Sequence, residues 1–195
     1  MKLSVFTFAI MASIGLAACS QQAETSVPAD SSAEAPSSSA AVSAPAADAV
    51  QTLTSSDGKI SIVVQGSQFE DAIQDGAARP EGITAEELTM MQHDESSNIS
   101  LYIVNLSTPR TDAKNYFNNL KNALKTAEGL SEVQTGVATE NRMNYRFAQN
   151  DSQGNLLREN CISIYETNLY NVCASSNTAS QDELAAILKE VNLVK

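Results

Sequence analysis

The chain holds few side chains able to do chemistry, and their types and spacing can be read one group at a time. His93 is the sole histidine, with Asp94 and Glu95 beside it, a set that suits a general base or one corner of a metal site. A base needs something to activate, and no Ser or Cys stands in a recognisable nucleophile motif. Glu70, Asp71 and Asp75, with Glu86 and Glu87 further on, are carboxylates of the kind that bind Ca²⁺. They lack the alternating ligands and closing Glu of an EF-hand loop. One His and three Cys do not furnish four zinc ligands unless carboxylates join in. The reading therefore assigns no catalytic residue, no metal and no cofactor, and it predicts a non-enzyme.

Cys161 and Cys173 are different, because their spacing meets a geometric requirement. They flank the turn Glu166-Thr167-Asn168. A three-residue hairpin loop with Asn168 left-handed pairs Tyr165 with Leu169 and brings Cys161 opposite Cys173. Directly opposed residues have Cα atoms roughly 4.5 to 5.5 Å apart, within disulfide range. A redox pair is the alternative chemistry, but the C-x-x-C spacing and a neighbouring His are missing. The spacing predicts a structural disulfide.

The elements that must position these residues show in the hydrophobic pattern. Folded structure is expected from near Leu53, with Ile60, Ile62 and Val64 on one face of a first strand. Residues 65 to 87 read as a polar, flexible segment with a turn at Pro80-Glu81-Gly82. Function concentrates on such long segments, so Phe69 and Ile73 within it are the candidate ligand-binding residues, with packing onto the core as their other role. Leu88 to Gln92 and Ile99 to Val104 read as strands joined by a turn over Asp94 to Asn98. Thr108-Pro109 and Asp112 open a helix that Lys121, Lys125 and Gly129 close, and its stripe is Ala113, Tyr116, Phe117, Leu120, Leu124 and Ala127. Alternation returns in Val133 to Ala138, Met143 to Ala148, Leu156 to Tyr165 and Leu169 to Ala174, which predicts an antiparallel meander. Ser180 with Glu183 is a capping box for a C-terminal helix with the stripe Leu184, Ile187, Leu188 and Val191. The fold class expected is α+β, an antiparallel sheet of about six or seven strands covered by two helices.

Composition narrows the setting. The 195 residues include 12 basic and 23 acidic side chains, a formal charge of -11, with no basic run to neutralise phosphates, so nucleic acid is excluded as a partner. The N-terminus, Met1-Lys2 followed by an apolar stretch through Leu16, reads as a secretory signal too short to span a bilayer. Leu16-Ala17-Ala18-Cys19 resembles the lipobox of bacterial lipoproteins. The resemblance implies cleavage after residue 18 and acylation of Cys19, whose chains hold the protein on a membrane, since each buried methylene contributes about 0.8 kcal/mol. Ser20 stands where such lipoproteins carry Asp for inner-membrane retention, which points to the outer membrane. Residues 19–50 are then the lipidated Cys and an Ala/Ser/Pro-rich tether with too little apolar bulk to order itself. About 30 such residues have a mean reach of roughly 30 Å.

Residues 51–195 form the expected globular domain, and their layout carries a second resemblance. Asp57-Gly58-Lys59-Ile60-Ser61 opens the first strand, and one central helix, a four-strand meander and a terminal helix ending in Asn192-Leu193-Val194 follow. In this order the chain resembles the DcrB-like envelope lipoproteins, which have a PsbP-like α/β sandwich. The resemblance implies a non-enzymatic role in envelope or lipoprotein biogenesis, with an envelope protein as partner. Ser20 and the Cys161 and Cys173 pair depart from the pattern. The alternative expectation is a surface-exposed lipoprotein that binds a host or environmental ligand, for example as an acidic inhibitor of a basic hydrolase.

Overall fold

The alternation of Ile60, Ile62 and Val64 becomes a strand with all three side chains buried, in a computed structural model that describes residues 50–76, 79–80, 82–151 and 153–194. All of these fall in the compact unit Val42–Lys195. The signal peptide, Cys19 and the tether lie outside the described residues. Strand β1 (Val50–Thr54), which begins one residue before the expected domain boundary, pairs antiparallel with β2 (Ile60–Gln65). The turn between them is held by Ser55, whose hydroxyl donates to Asp57 at 2.7 Å and accepts the Ile60 N–H at 3.0 Å. Gly58 at φ 68° supplies the left-handed residue that this turn requires.

The larger sheet is built from β3 (Glu70–Asp71), β4 (Leu88–Asp94), β5 (Ile99–Asn105), β6 (Ser131–Thr135), β7 (Arg142–Asn150), β8 (Leu156–Tyr165) and β9 (Leu169–Ser176). Its spatial order is β3-β4-β5-β9-β8-β7-β6. After β5 the chain crosses through helix α1 (Ala113–Thr126) to the far edge and returns by the meander, so β9 closes antiparallel against β5. Helix α2 (Gln181–Ile187) follows, then a 3₁₀ turn and β10 (Val191–Leu193). Asp112 caps α1, accepting the Asn115 N–H at 3.0 Å. Ser180 and Glu183 make the expected capping box on α2.

Both faces of the larger sheet are buried. On one, Phe117 and Leu124 of α1 pack with Leu88, Met91, Tyr102, Val104, Met143 and Tyr145. On the other, Leu184 of α2 and the apolar side of β2 and β10 cover Leu101, Ile103, Ile162, Ile164 and Val172. That is why β5 reads Ile-Ser-Leu-Tyr-Ile-Val as a nearly continuous apolar run, where a one-sided strand would alternate strictly. The architecture is an α+β sandwich, and the six or seven strands expected correspond to the larger sheet.

Several local expectations are corrected. Val191, placed in the helical stripe, and Asn192-Leu193, read as a helix end, form β10, with Val191 opposite Ile62 and Leu193 opposite Ile60. Val194 follows as its continuation, donating to the Lys59 carbonyl at 2.9 Å. The β2 edge offers unpaired backbone groups, and pairing them outweighs another helical turn. Ala127 is an exposed cap residue of α1, outside its apolar stripe. The strand expected to reach Ala138 ends at Thr135. Asn168 is not left-handed: among the described non-glycine residues only Asn98, Ser107 and Glu132 have positive φ. The hairpin keeps the expected register all the same, Tyr165 opposite Leu169, because the Glu166 N–H closes the loop onto the Asn168 carbonyl at 3.0 Å.

Candidate functional site

Two stretches that are separate in sequence meet at the β3 edge of the sheet. β3 pairs with β4 so that Glu70 lies opposite His93 and Asp71 opposite Gln92. β4 in turn places His93 opposite Ser100 of β5. The result is a recess of about 450 Å³ lined by Glu70, Asp71, Asp75, His93, Glu95 and Ser100. His93 is half-buried, and its Nδ1 lies 3.0 Å from the Ser100 hydroxyl. Four carboxylates share the recess with no Lys or Arg in its lining.

Asp94, next to His93 in sequence, is not part of the recess, because successive strand residues point to opposite faces. It is 2% exposed and caps the β4–β5 turn, accepting the Ser96 hydroxyl at 2.7 Å and the Ser96 N–H at 2.9 Å. Burial pushes its carboxyl up, but the hydrogen bonds from Ser96 and Ser97 outweigh that and hold it below the ordinary aspartate value.

The Ser100 and His93 contact does not make a nucleophile and base. Ser100 is the second residue of β5, paired with β4 on one side and β9 on the other, so the neighbouring backbone N–H groups belong to the ladder and are not gathered at its hydroxyl. The ligand atoms of the recess do not converge on a point either. Among the described residues, the three side chains that do converge are Glu159, Cys161 and Cys173, and the two sulfurs are bonded to each other. What the recess offers is four exposed carboxylates gathered on a concave surface, a negative potential that suits a cationic group.

The row that contains His93 and Ser100 continues across the sheet through Ser175 to Glu159. Glu159 is 7% exposed and accepts hydrogen bonds from the Tyr102 hydroxyl and, at 3.0 Å, from Gln149 Nε2. Its burial raises the carboxyl above the ordinary glutamate value, and the two hydrogen bonds offset this only in part. Burial, together with the Glu159 carboxylate, likewise lifts the Tyr102 hydroxyl well above the usual tyrosine range. The sequence reading passed over Glu159. It sits in the polar triplet Arg158-Glu159-Asn160, and the only hint was that it shares a face with Cys161 and Ser163, which are buried.

A carboxyl whose folded value is raised holds its proton more tightly when folded. Its stabilising contribution is complete below pH 4.5, the ordinary glutamate value, and is lost as pH rises through the folded value. Glu159→Gln is therefore expected to flatten the fall in stability above pH 4.5. Urea unfolding of both proteins across pH 4 to 8 checks this, and parallel curves would remove Glu159 as the source.

Phe69 and Ile73, the candidate binding pair, are not brought together. Phe69 is 4% exposed in the core on the α2 side, whereas Ile73 is half-buried against the core on the α1 side. The Phe69 backbone is gripped by Gln51 of β1, whose Oε1 accepts its N–H at 2.8 Å and whose Nε2 donates to its carbonyl at 3.1 Å. This carboxamide stands in for a strand and links the edge of the smaller sheet to the start of β3. The segment expected to be a flexible loop thus contains a paired strand with an anchored core residue before it, and Phe69 has a packing role.

Cys161 and Cys173 are joined in a disulfide with a Cα separation of 4.1 Å. They lie opposite each other on β8 and β9, between Tyr145 of β7 and Tyr102 of β5. Both are buried beneath α1, which suits a structural bond and not one that exchanges with thiols.

Fold and site together define a small disulfide-stapled α+β sandwich with an acidic recess at one sheet edge. No protein-family model matches the chain, and no curated protein matches it. Among solved structures the chain is similar to the solution structure of cyanobacterial PsbP (CyanoP) from Synechocystis sp. PCC 6803, at 9% identity and a TM-score of 0.45, with 80% of this chain and 99% of that chain covered.

Proposed function

We propose that this protein is a non-enzymatic cell-envelope lipoprotein, anchored in the outer membrane by acyl chains on Cys19, whose globular domain serves as an accessory binding module in envelope or lipoprotein biogenesis. The observation that carries the binding reading is the acidic recess, where pairing of β3 with β4 gathers Glu70, Asp71, Asp75 and Glu95 around His93. Its partner is an envelope protein that presents a basic side chain. The lipobox residues support the anchor, and the Cys161 to Cys173 disulfide fits an exported protein, because such bonds persist in oxidising compartments.

Glu70→Gln with Asp71→Asn is expected to weaken capture of the partner by the full-length protein about tenfold at low salt. Both side chains are exposed, so stability should stay within about 0.5 kcal/mol of the parent. Capture by the parent should also fall as salt rises, since exposed charges are screened beyond about 10 Å at 0.1 M. Capture that ignores both salt and the two substitutions would take the recess out of the function. The formal charge of -11 also favours a second reading, a surface-exposed protein that meets a basic host hydrolase through charge steering. Protease treatment of intact cells separates the two, because only a surface-exposed domain is cut.

A further inference from the structure

Helix α1 presents a face that folding does not call for. Its 14 residues include three Lys, four Asn and no acid, in a chain with 23 acidic side chains and 12 basic ones. With about 100° between successive helical residues, Lys114, Lys121 and Lys125 fall within about 40° of one another, in a row roughly 16 Å long. Spacings of seven and four residues hide that row in the sequence, where no basic run appears. Lys114 and Lys125 are exposed, and Lys121 is half-buried.

The row works against the helix that carries it. Lys114 stands in the first turn, where the positive end of the helix dipole favours acids, and no acid is there. Lys121 and Lys125 are four residues apart, a like-charged pair that repels. An acid at either position would pair with the remaining lysine, and this acid-rich chain places none there. A use outside the fold accounts for such a row.

No group within the domain answers it. The ion pairs among the described residues are Arg146 with Asp182 and Arg158 with Glu132, so none of the three lysines has one. The acids nearest in sequence, Asp112 and Glu128, lie at the two ends of the helix. Asp112 is occupied as the cap, accepting from the Asn115 N–H at 3.0 Å and from its Nδ2 at 2.6 Å. Asn118, Asn119 and Asn122 are exposed, and their amides make no hydrogen bond to a described residue. The face thus offers cations and amide donors with no anion to meet them.

We infer that the exposed face of α1 docks on anionic phospholipid headgroups, at the membrane in which the acyl chains on Cys19 are proposed to sit; the inference rests on that anchoring. The lysines meet lipid phosphates, and the asparagine amides donate to phosphate and glycerol oxygens. No aromatic or long aliphatic side chain is exposed on α1, so the contact stays at headgroup level. The formal charge of -11 does not prevent it, because charges more than about 10 Å from the surface are screened at 0.1 M salt and the lipid meets the local row. Each lysine near an anionic leaflet favours the bound state about fivefold. Three of them orient a domain that the tether, with its mean reach of roughly 30 Å, already keeps close.

The test reconstitutes the full-length protein from membranes into vesicles of phosphatidylcholine, with or without phosphatidylglycerol. Asn118→Cys places one fluorophore on α1, and Ala185→Cys places it at an exposed position of α2, over the opposite face of the sheet. Energy transfer to a headgroup-labelled lipid reads how close each position lies to the membrane. Phosphatidylglycerol should raise transfer from residue 118 at least twofold over that from residue 185, and salt at about 1 M, where screening acts within about 3 Å, should erase the difference. Lys114→Gln with Lys121→Gln and Lys125→Gln should erase it too, while the melting temperature stays equal or rises, since the row repels itself. Equal transfer from the two positions in anchored protein with phosphatidylglycerol would overturn the inference, as would a difference that persists without that lipid or in the triple variant. Protein that fails to float with either vesicle would instead bring down the anchoring, and the docking with it, so flotation tells the two failures apart.

Discussion

Cys173→Ser is expected to lower the unfolding free energy of the domain by about 2 to 4 kcal/mol. The bond joins residues 12 apart in sequence, and cross-linking a loop of that size removes roughly 3 kcal/mol of chain entropy from the unfolded state. The substitution also leaves an unbonded Cys161 thiol in the core, at a site where Cys173 is 3% exposed. Urea unfolding of the parent with and without a dithiol reductant provides the matching measurement, since reduction breaks the same link without changing a side chain. The two losses should agree to within about 1 kcal/mol. Recovery of Cys161 and Cys173 as free thiols from freshly prepared envelopes, or equal stability with and without reductant, would show that the bond does not hold the domain.

Cys19→Ala is expected to release the protein from the membrane altogether. Under the proposed lipidation, two or three acyl chains supply the hold, and two are already enough for stable anchoring. Metabolic labelling with a fatty-acid analogue should vanish in the variant, and the protein should leave the membrane fraction. Label that persists, or membrane association without label, would end the anchoring proposal. The globular domain should keep its thermal stability after cleavage from the tether, because among the described residues both cores draw on residues from Leu53 onward.

Much of the architecture was legible because local pattern controls it. Ile60, Ile62 and Val64 alternate, the Ser180 and Glu183 capping box announces α2, and the β8–β9 hairpin sets its own register, which places Cys161 against Cys173. The recess was legible only in pieces. Its acids and its histidine each stood out as candidates, but nothing local says that a two-residue strand at Glu70 will pair with β4.

By itself, then, the sequence determined the types of the longer elements, the hairpin that carries the disulfide and the α+β class, all of which rest on side-chain period and turn chemistry. Only the tertiary structure decided which strands would share edges. Val191 joins Ile62, Gln51 bridges to Phe69, and Glu159 is carried beneath the helix side of the sheet to meet Tyr102. These outcomes depend on satisfying backbone groups and apolar faces that become neighbours only once the two sheets pack. A tripeptide such as Val191-Asn192-Leu193 has no period long enough to announce its partner. Its conformation is settled by the open edge of β2, far away in sequence, that it comes to cover.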